Sequence, residues 1–281
     1  WMYAKVHVEG RDAIEAGTRA LKELNLLRAI WNYVALRRQT MRDCSPTEPP
    51  LSIFRLGPIQ TIHLVKSKPC PSPFYWYQHP YLATDYPGKA WNPGDTILRH
   101  VRTAERKIRT ILRKSSHSEF LNSQFQKYIA ACDIASHENR FMALWTLLEH
   151  LTGCGVGGKM DYELLVRRAA NIFTDYKAYR LILTSLRSAR NSVAHEMRSD
   201  FEARSANKLF WIVNCALSFH LSVATQVRNK NDVFAFLDLP HDKKQLKSEI
   251  DLRRKRIQSL ESRQEPKRPH PRGAQRIQTK T

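Results

Sequence analysis

Residues 177–198 read KAYRLILTSLRSARNSVAHEMR. Leu181, Leu183, Leu186 and Val193 recur along this run and predict one helix over Lys177–Arg198. Working outward, polar turns separate further helical runs over Asp95–Lys114, Ser118–Ala135, Asn139–Thr152, Asp161–Phe173 and Ser205–Gln226. Asp95, Ser118, Asn139, Asp161 and Ser205 are expected as their N-caps, because a short side-chain oxygen can take an orphan backbone N–H there. Connections of two to eight residues favour antiparallel neighbours in a bundle.

Near the start, Asp12 is expected to cap a helix from Ala13 to about Arg37, with Leu24, Leu27, Ile30, Trp31 and Val34 three and four apart. Residues 40–95 differ in character. They hold ten of the 14 prolines, and proline fits neither helix interiors nor central strands, so the segment reads as an irregular connector. Alternation over Ile59–Val65 predicts one strand, and the aromatic cluster Phe74-Tyr75-Trp76-Tyr77 is expected to pack on the body rather than stack on bases. A last polar helix is predicted over Asp242–Gln264, with Leu246, Ile250, Leu252, Ile257 and Leu260 in a narrow stripe. Docking on another chain and a solvated basic helix touching RNA both fit that stripe. The last ~18 residues read as a disordered tail. The expected class is mainly all-α: an antiparallel helical bundle with a Pro-rich irregular insertion and a minor β element. The segments are 1–95 (N-terminal helix and connector), 96–240 (bundle) and 241–281 (basic helix and tail).

Composition narrows the function. Hydrophobic residues make up 42% of 281, enough for a packed core and against wholesale disorder. Lys and Arg number 46 against 26 Asp and Glu, a net charge of +20. Residues 241–281 hold 13 basic and 5 acidic residues, so +12 remains for residues 1–240 and the basic character is not confined to the tail. Such a charge points to a polyanionic partner, RNA or DNA first. No apolar run approaches the ~18 residues of a membrane span, and Trp1–Lys5 lack the apolar stretch of a secretory signal. Cys44, Cys70, Cys132, Cys154 and Cys215 form no CxxC pair and are odd in number, so neither a disulfide framework nor a zinc site is expected. The expectation is a cytoplasmic protein with reduced thiols, no membrane contact, no metal and no cofactor.

Two motifs bear on chemistry. Residues 153–159, GCGVGGK, fit the G-x-x-x-x-G-K phosphate loop, but Met160 stands where Ser or Thr would bind magnesium. The stretch also follows a helix and not a strand, so it reads as an interhelical turn in which Lys159 remains able to touch a phosphate. The second motif is Arg190-Asn191-Ser192-Val193-Ala194-His195. Asn191 and His195 are four apart and share a helix face, with Arg190 angled aside on a long side chain. An imidazole can move a proton, a guanidinium can hold a charged phosphorane, and a carboxamide can orient an oxygen. If the nucleophile is a ribose 2′-hydroxyl, that set cleaves RNA without metal. An Arg and a His on a solvated face, or capping a helix end, account for the same six residues.

The Arg190–His195 stretch resembles the motif of the Apea-like branch of the HEPN superfamily: Arg, a polar residue, then His after four intervening residues. The run Arg140-Phe141-Met142-Ala143-Leu144-Trp145-Thr146-Leu147-Leu148-Glu149-His150-Leu151 is similar to the aromatic and glutamate helix that precedes the motif in that family. The resemblance is best over residues 118–226, weaker over 1–37, and absent from the connector and tail. Glu196 follows the histidine where many relatives have Gly. The resemblance implies a HEPN-like bundle that forms a homodimer, with two motifs facing one cleft. It implies metal-independent endoribonuclease activity, of a defence or toxin type, leaving a 2′,3′-cyclic phosphate and a 5′-hydroxyl. His195 would transfer the proton, Arg190 stabilise the phosphate and Asn191 position it, while Glu149 orients a motif side chain or braces the helix pair. A neutralising or regulatory protein partner is a further implication. The alternative is a non-catalytic RNA-binding or scaffold module on the same fold.

Overall fold

The computed structural model describes residues 6–37, 51–54, 59–62, 74–77, 94–154, 161–196 and 203–264; at 59–62, 74–77, 94–95, 195–196 and 261–264 only the backbone is described. The Asp12 carboxylate accepts the Glu15 N–H at 2.8 Å and starts α1 (Ala13–Leu36). The expected strand is present as β1 (Ile59–Ile62). It pairs antiparallel with β2 (Phe74–Tyr77), Ile59 opposite Tyr77 and Ile62 opposite Phe74. The aromatic tetrad read as packing material is therefore a strand; the packing of its side chains lies outside the described residues, as does most of the connector.

The helical series follows as α2 (Gly94–Lys114), α3 (Ser118–Asp133), α4 (His137–Thr152), α5 (Tyr162–Ala170), α6 (Tyr176–Glu196) and α7 (Ala203–Val223). Two further helices are α8 (Lys230–Leu237), which was not anticipated, and α9 (Lys243–Gln264). The class is mainly α, a helical bundle, as expected. Several caps differ. Ser136, not Asn139, caps α4: its hydroxyl accepts the Asn139 N–H at 3.2 Å and donates to the Glu138 carboxylate at 2.6 Å. His117 precedes α3 without capping it, and Ser205 lies inside the first turn of α7. Asp161 caps α5 as expected. The α5 run ends at Ala170 in a tightened turn, the Ile172 and Phe173 N–H groups reaching back three residues to the Ala169 and Ala170 carbonyls before α6 begins.

Residues 1–238 and 239–281 form two compact units. In the first, α4 is the central helix. Phe141, Leu144, Trp145, Leu147, Leu148 and Leu151 are all buried, an apolar surface too wide for one partner, and α4 packs on α3, α5, α6 and α7. Against it α7 buries Ala206, Leu209, Val213, Ala216 and Leu217 at helical spacing. Helix α1 packs on α2 and α3 within this same unit, although the sequence reading grouped it with the connector. A buried ion pair, Arg28 to Asp133 at 2.8 Å, ties α1 to the end of α3. Asn32 fastens the described piece of the connector: its carboxamide oxygen accepts the Ile53 and Phe54 N–H groups, and its amide donates to the Phe54 carbonyl.

The end of α4 sets the course of the chain toward the site. Gly153 takes the left-handed conformation (φ 71°) and its N–H returns to the Glu149 and His150 carbonyls. A Cβ there would stand 2.6 Å from the Phe234 ring of α8, so both conformation and space call for glycine. Helix α8 is held by Arg168, which grips the Asp238 carboxylate with two nitrogens (2.8 and 2.6 Å) and donates to the Thr152 carbonyl at 2.7 Å.

Candidate active site

Helix α6 presents the Arg/Asn/His stretch in its last two turns. Leu183 and Leu186 are buried and fix its inner side, with Arg187 and Arg190 half-buried beside them. Leu181 does not contribute to the core, as the sequence had suggested; it is 74% exposed. The outward line runs through Thr184, Ser188 and Asn191, and His195 follows one turn later. The His195 backbone is helical, and its side chain lies outside the described residues.

The α5 start supplies the floor. With Asp161 as cap, Tyr162 is the first helical residue, and its ring lies beneath two guanidinium groups. The Arg187 and Arg190 Cζ atoms stand 5.5 and 5.1 Å from the ring centroid. Trp145 of α4 lies behind it at 6.4 Å. Arg187 also reaches Glu163 at 3.9 Å, while Arg180 holds the same carboxylate at 2.5 Å. Arg190 has no carboxylate in ion-pair contact among the described residues. Its Nη1 donates a long 3.4 Å bond to the Asn191 carboxamide oxygen, and its buried Nε has no hydrogen-bond partner. Arg190 is thus the guanidinium kept in reserve, positioned by an aromatic face.

Glu149 faces this group from the last turn of α4. Its carboxyl is nearly buried, which raises its pKa above the ordinary value; the Arg190 charge and the Trp145 indole oppose the rise. The Trp145 Nε1–H lies near the carboxylate without closing a hydrogen bond of good geometry. The structure therefore brings Arg190, Asn191 and Glu149 together from separated stretches, and puts His195 on the same helix one turn beyond Asn191. Tyr162, Arg187 and Glu163 were missed. Arg187 and Arg190 are three apart, which places them on one side of a helix, but nothing in the sequence shows that α5 begins under that side.

The set can hold a negatively charged, trigonal-bipyramidal phosphorus: one unpaired guanidinium, one carboxamide, and a histidine position for proton transfer. Among the described residues no group of three or more His, Cys, Asp and Glu side chains is arranged for a metal ion, and no helix is long and apolar enough to cross a membrane. The glycine-rich stretch begins with Gly153 and Cys154, and residues 155–160, Lys159 with them, lie outside the description. A groove of about 460 Å³ between the end of α1 and α7 is lined by Phe173, Trp211 and Cys215 among others, and by no motif residue. Burial pushes the Cys215 thiol up to about 11, which disfavours a reactive thiolate there. No family model, curated protein or solved structure matches the chain.

Proposed function

We propose that the protein is a HEPN-type, metal-independent endoribonuclease whose site is completed by two copies of the chain. The observation that supports this most is the Arg190 guanidinium, which has no carboxylate in ion-pair contact among the described residues and lies against Tyr162 near Glu149, beside Asn191. A guanidinium merely solvated on a helix face would not be backed by a half-buried tyrosine ring and a nearly buried glutamate. In the proposed reaction His195 of one copy takes the proton from a ribose 2′-hydroxyl. The 2′-oxygen attacks the adjacent phosphorus, and Arg190 and Asn191 hold the phosphorane oxygens. The P–O5′ bond breaks, and His195 of the second copy gives the leaving oxygen its proton. The products are a 2′,3′-cyclic phosphate and a 5′-hydroxyl. Glu149 acts as a brace and as an electrostatic guide for Arg190. The resemblance suggests a defence or toxin setting with a neutralising partner.

The test is RNA cleavage in excess EDTA by wild type, His195→Ala and Arg190→Ala. Cleavage by wild type alone is expected. Intact RNA in all three, across structured and unstructured substrates, would end the nuclease reading.

A second reading rests on α2. Arg99, Arg102, Arg106, Lys107, Arg113 and Lys114 are exposed and have no acidic partner among the described residues. They run along about 22 Å of helix at ~1.5 Å per residue, a length that can follow several phosphates. A non-catalytic RNA-binding module would use this ridge, and its binding would survive His195→Ala.

A further inference from the structure

We propose that α9 is one strand of a parallel, two-stranded coiled coil formed with α9 of a second copy of this chain. At 22 residues α9 is about 33 Å long, three heptads of mixed charge. Its apolar residues stay exposed: Ile250 at 42%, Ile257 at 55% and Leu260 at 43%. Leu246, Ile250, Ile257 and Leu260 fall at spacings of 4, 7 and 3, a central seam of alternating fours and threes in which Arg253 takes the one inner polar place, with Lys243 and Gln264 at its two ends. Leu252 is off the seam.

The register names the partner. With Ile250 and Ile257 at a and Leu246 and Leu260 at d, β-branched residues sit at a and leucine at d, the combination that favours parallel dimers. In a parallel dimer each g position faces the e position of the next heptad on the other chain. Within α9 those pairs are Glu249 with Arg254 and Arg256 with Glu261; Asp242, one residue before the helix, has its carboxylate on the Lys244 N–H. Both pairs join opposite charges, although the helix as a whole is basic. A helix whose only task was to touch RNA would have no reason to alternate charge at these positions. Arg253 at d is the cost: two guanidinium groups meet at the seam, their stems packing and their heads reaching for water. It makes the pair weak and fixes its register, as a polar residue in a seam does. The inference uses none of Arg190, Asn191, His195 or Glu149, so it stands or falls apart from the nuclease reading.

The experiment uses the full chain carrying Leu246→Cys (at d) or Lys255→Cys (on the outer face), treated with a short bis-maleimide and mapped by mass spectrometry. Lys255 is exposed and Leu246 half-buried, and neither belongs to the hydrophobic core of the bundle, so neither substitution threatens it. A 246–246 cross-link is expected, with a 255–255 yield at least about tenfold lower. In the Leu246→Cys background, Glu249→Arg should cut the yield several-fold, adding Arg254→Glu should restore it, and Arg253→Leu should raise it. Absence of the 246–246 product overturns the proposal, as does equal yield at 246 and 255. So does a 246–246 product that appears only when RNA is added, which would make α9 an RNA-binding helix, or a charge reversal that the second reversal does not rescue.

Discussion

Arg190 shows how a side chain can be reserved for a ligand. Arg28 and Arg168 both spend their charge on carboxylates within the fold, whereas Arg190 has an aromatic ring, a carboxamide oxygen and a glutamate held out of ion-pair contact. The contrast with His220 is as informative. Its ring is fully buried, and its Nε2–H donates to the Leu151 carbonyl at 2.7 Å. Burial drives its pKa down to about 4, so the ring is neutral in the fold. The unfolded chain binds a proton below the ordinary value of 6.5, and stability therefore rises with pH between about 4 and 6.5. It is complete above that window, is lost as pH falls through it, and levels off below it. The loss from this one group reaches up to about 3 kcal/mol. Urea unfolding of wild type and His220→Gln from pH 7.5 to 4 should show a shallower pH dependence in the variant. Burial lowers His117, His137 and His150 as well, and these supply a residual slope of the same sign. An unchanged slope in the variant would mean that His220 is not the buried neutral group described. At this scale Arg190 and Asn191 stood out in the sequence through their types and spacing, and Glu149 only through the resemblance. It could not reveal Tyr162 or the neutrality of His220, because both follow from which helix crosses which.

Among the elements, α4 and α7 were predictable because their apolar residues repeat at helical spacing over several turns. Helix α8 was missed because it is eight residues long and buries only Val233 and Leu237. Its signal is local: the Asn229 side chain accepts the Asn231 and Asp232 N–H groups, and the Asp232 carboxylate accepts the Arg228 N–H. The α4–α8 contact concentrates on Gly153. Gly153→Ala places a side chain in a left-handed conformation, at about 1–2 kcal/mol. It also pushes a Cβ into the Phe234 ring, for a further ~1–3 kcal/mol. The urea midpoint should fall accordingly with the m-value unchanged. A midpoint equal to wild type would show that the turn and ring relax at no cost. Truncating Phe234 in the same chain should recover the steric part alone.

For the molecule as a whole, charge is what the proposed RNA partner rests on. A net charge of +20, spread over both units and displayed along α2, would make the proposed RNA binding steeply salt-dependent. Replacing Arg102 and Arg106 with Gln should weaken binding to unrelated RNA sequences alike. It should also reduce the slope of log K against log salt by roughly 1–2, one phosphate contact for each residue that touches one. An unchanged slope would remove α2 from the binding surface. The helical class was readable because the pattern repeats through most of the chain. The separation of residues 241–281 from the bundle was readable as well, and lies close to the division at 238/239; the packing of α1 into the bundle and the α4–α5–α6 junction were not, since they depend on contacts between residues far apart in sequence. If α9 pairs two copies, it raises the local concentration of one bundle beside another, which a two-copy site requires.

The central claim is that a ribose 2′-oxygen attacks phosphorus beside Arg190 and His195 without metal. Its most direct measurement compares one RNA with its fully 2′-O-methyl counterpart, both incubated with wild-type protein in EDTA, and analyses the product ends by mass spectrometry. The account predicts that only the RNA is cut, with 2′,3′-cyclic phosphate and 5′-hydroxyl ends. Cleavage of the methylated strand, or 5′-phosphate ends from the RNA, would contradict it.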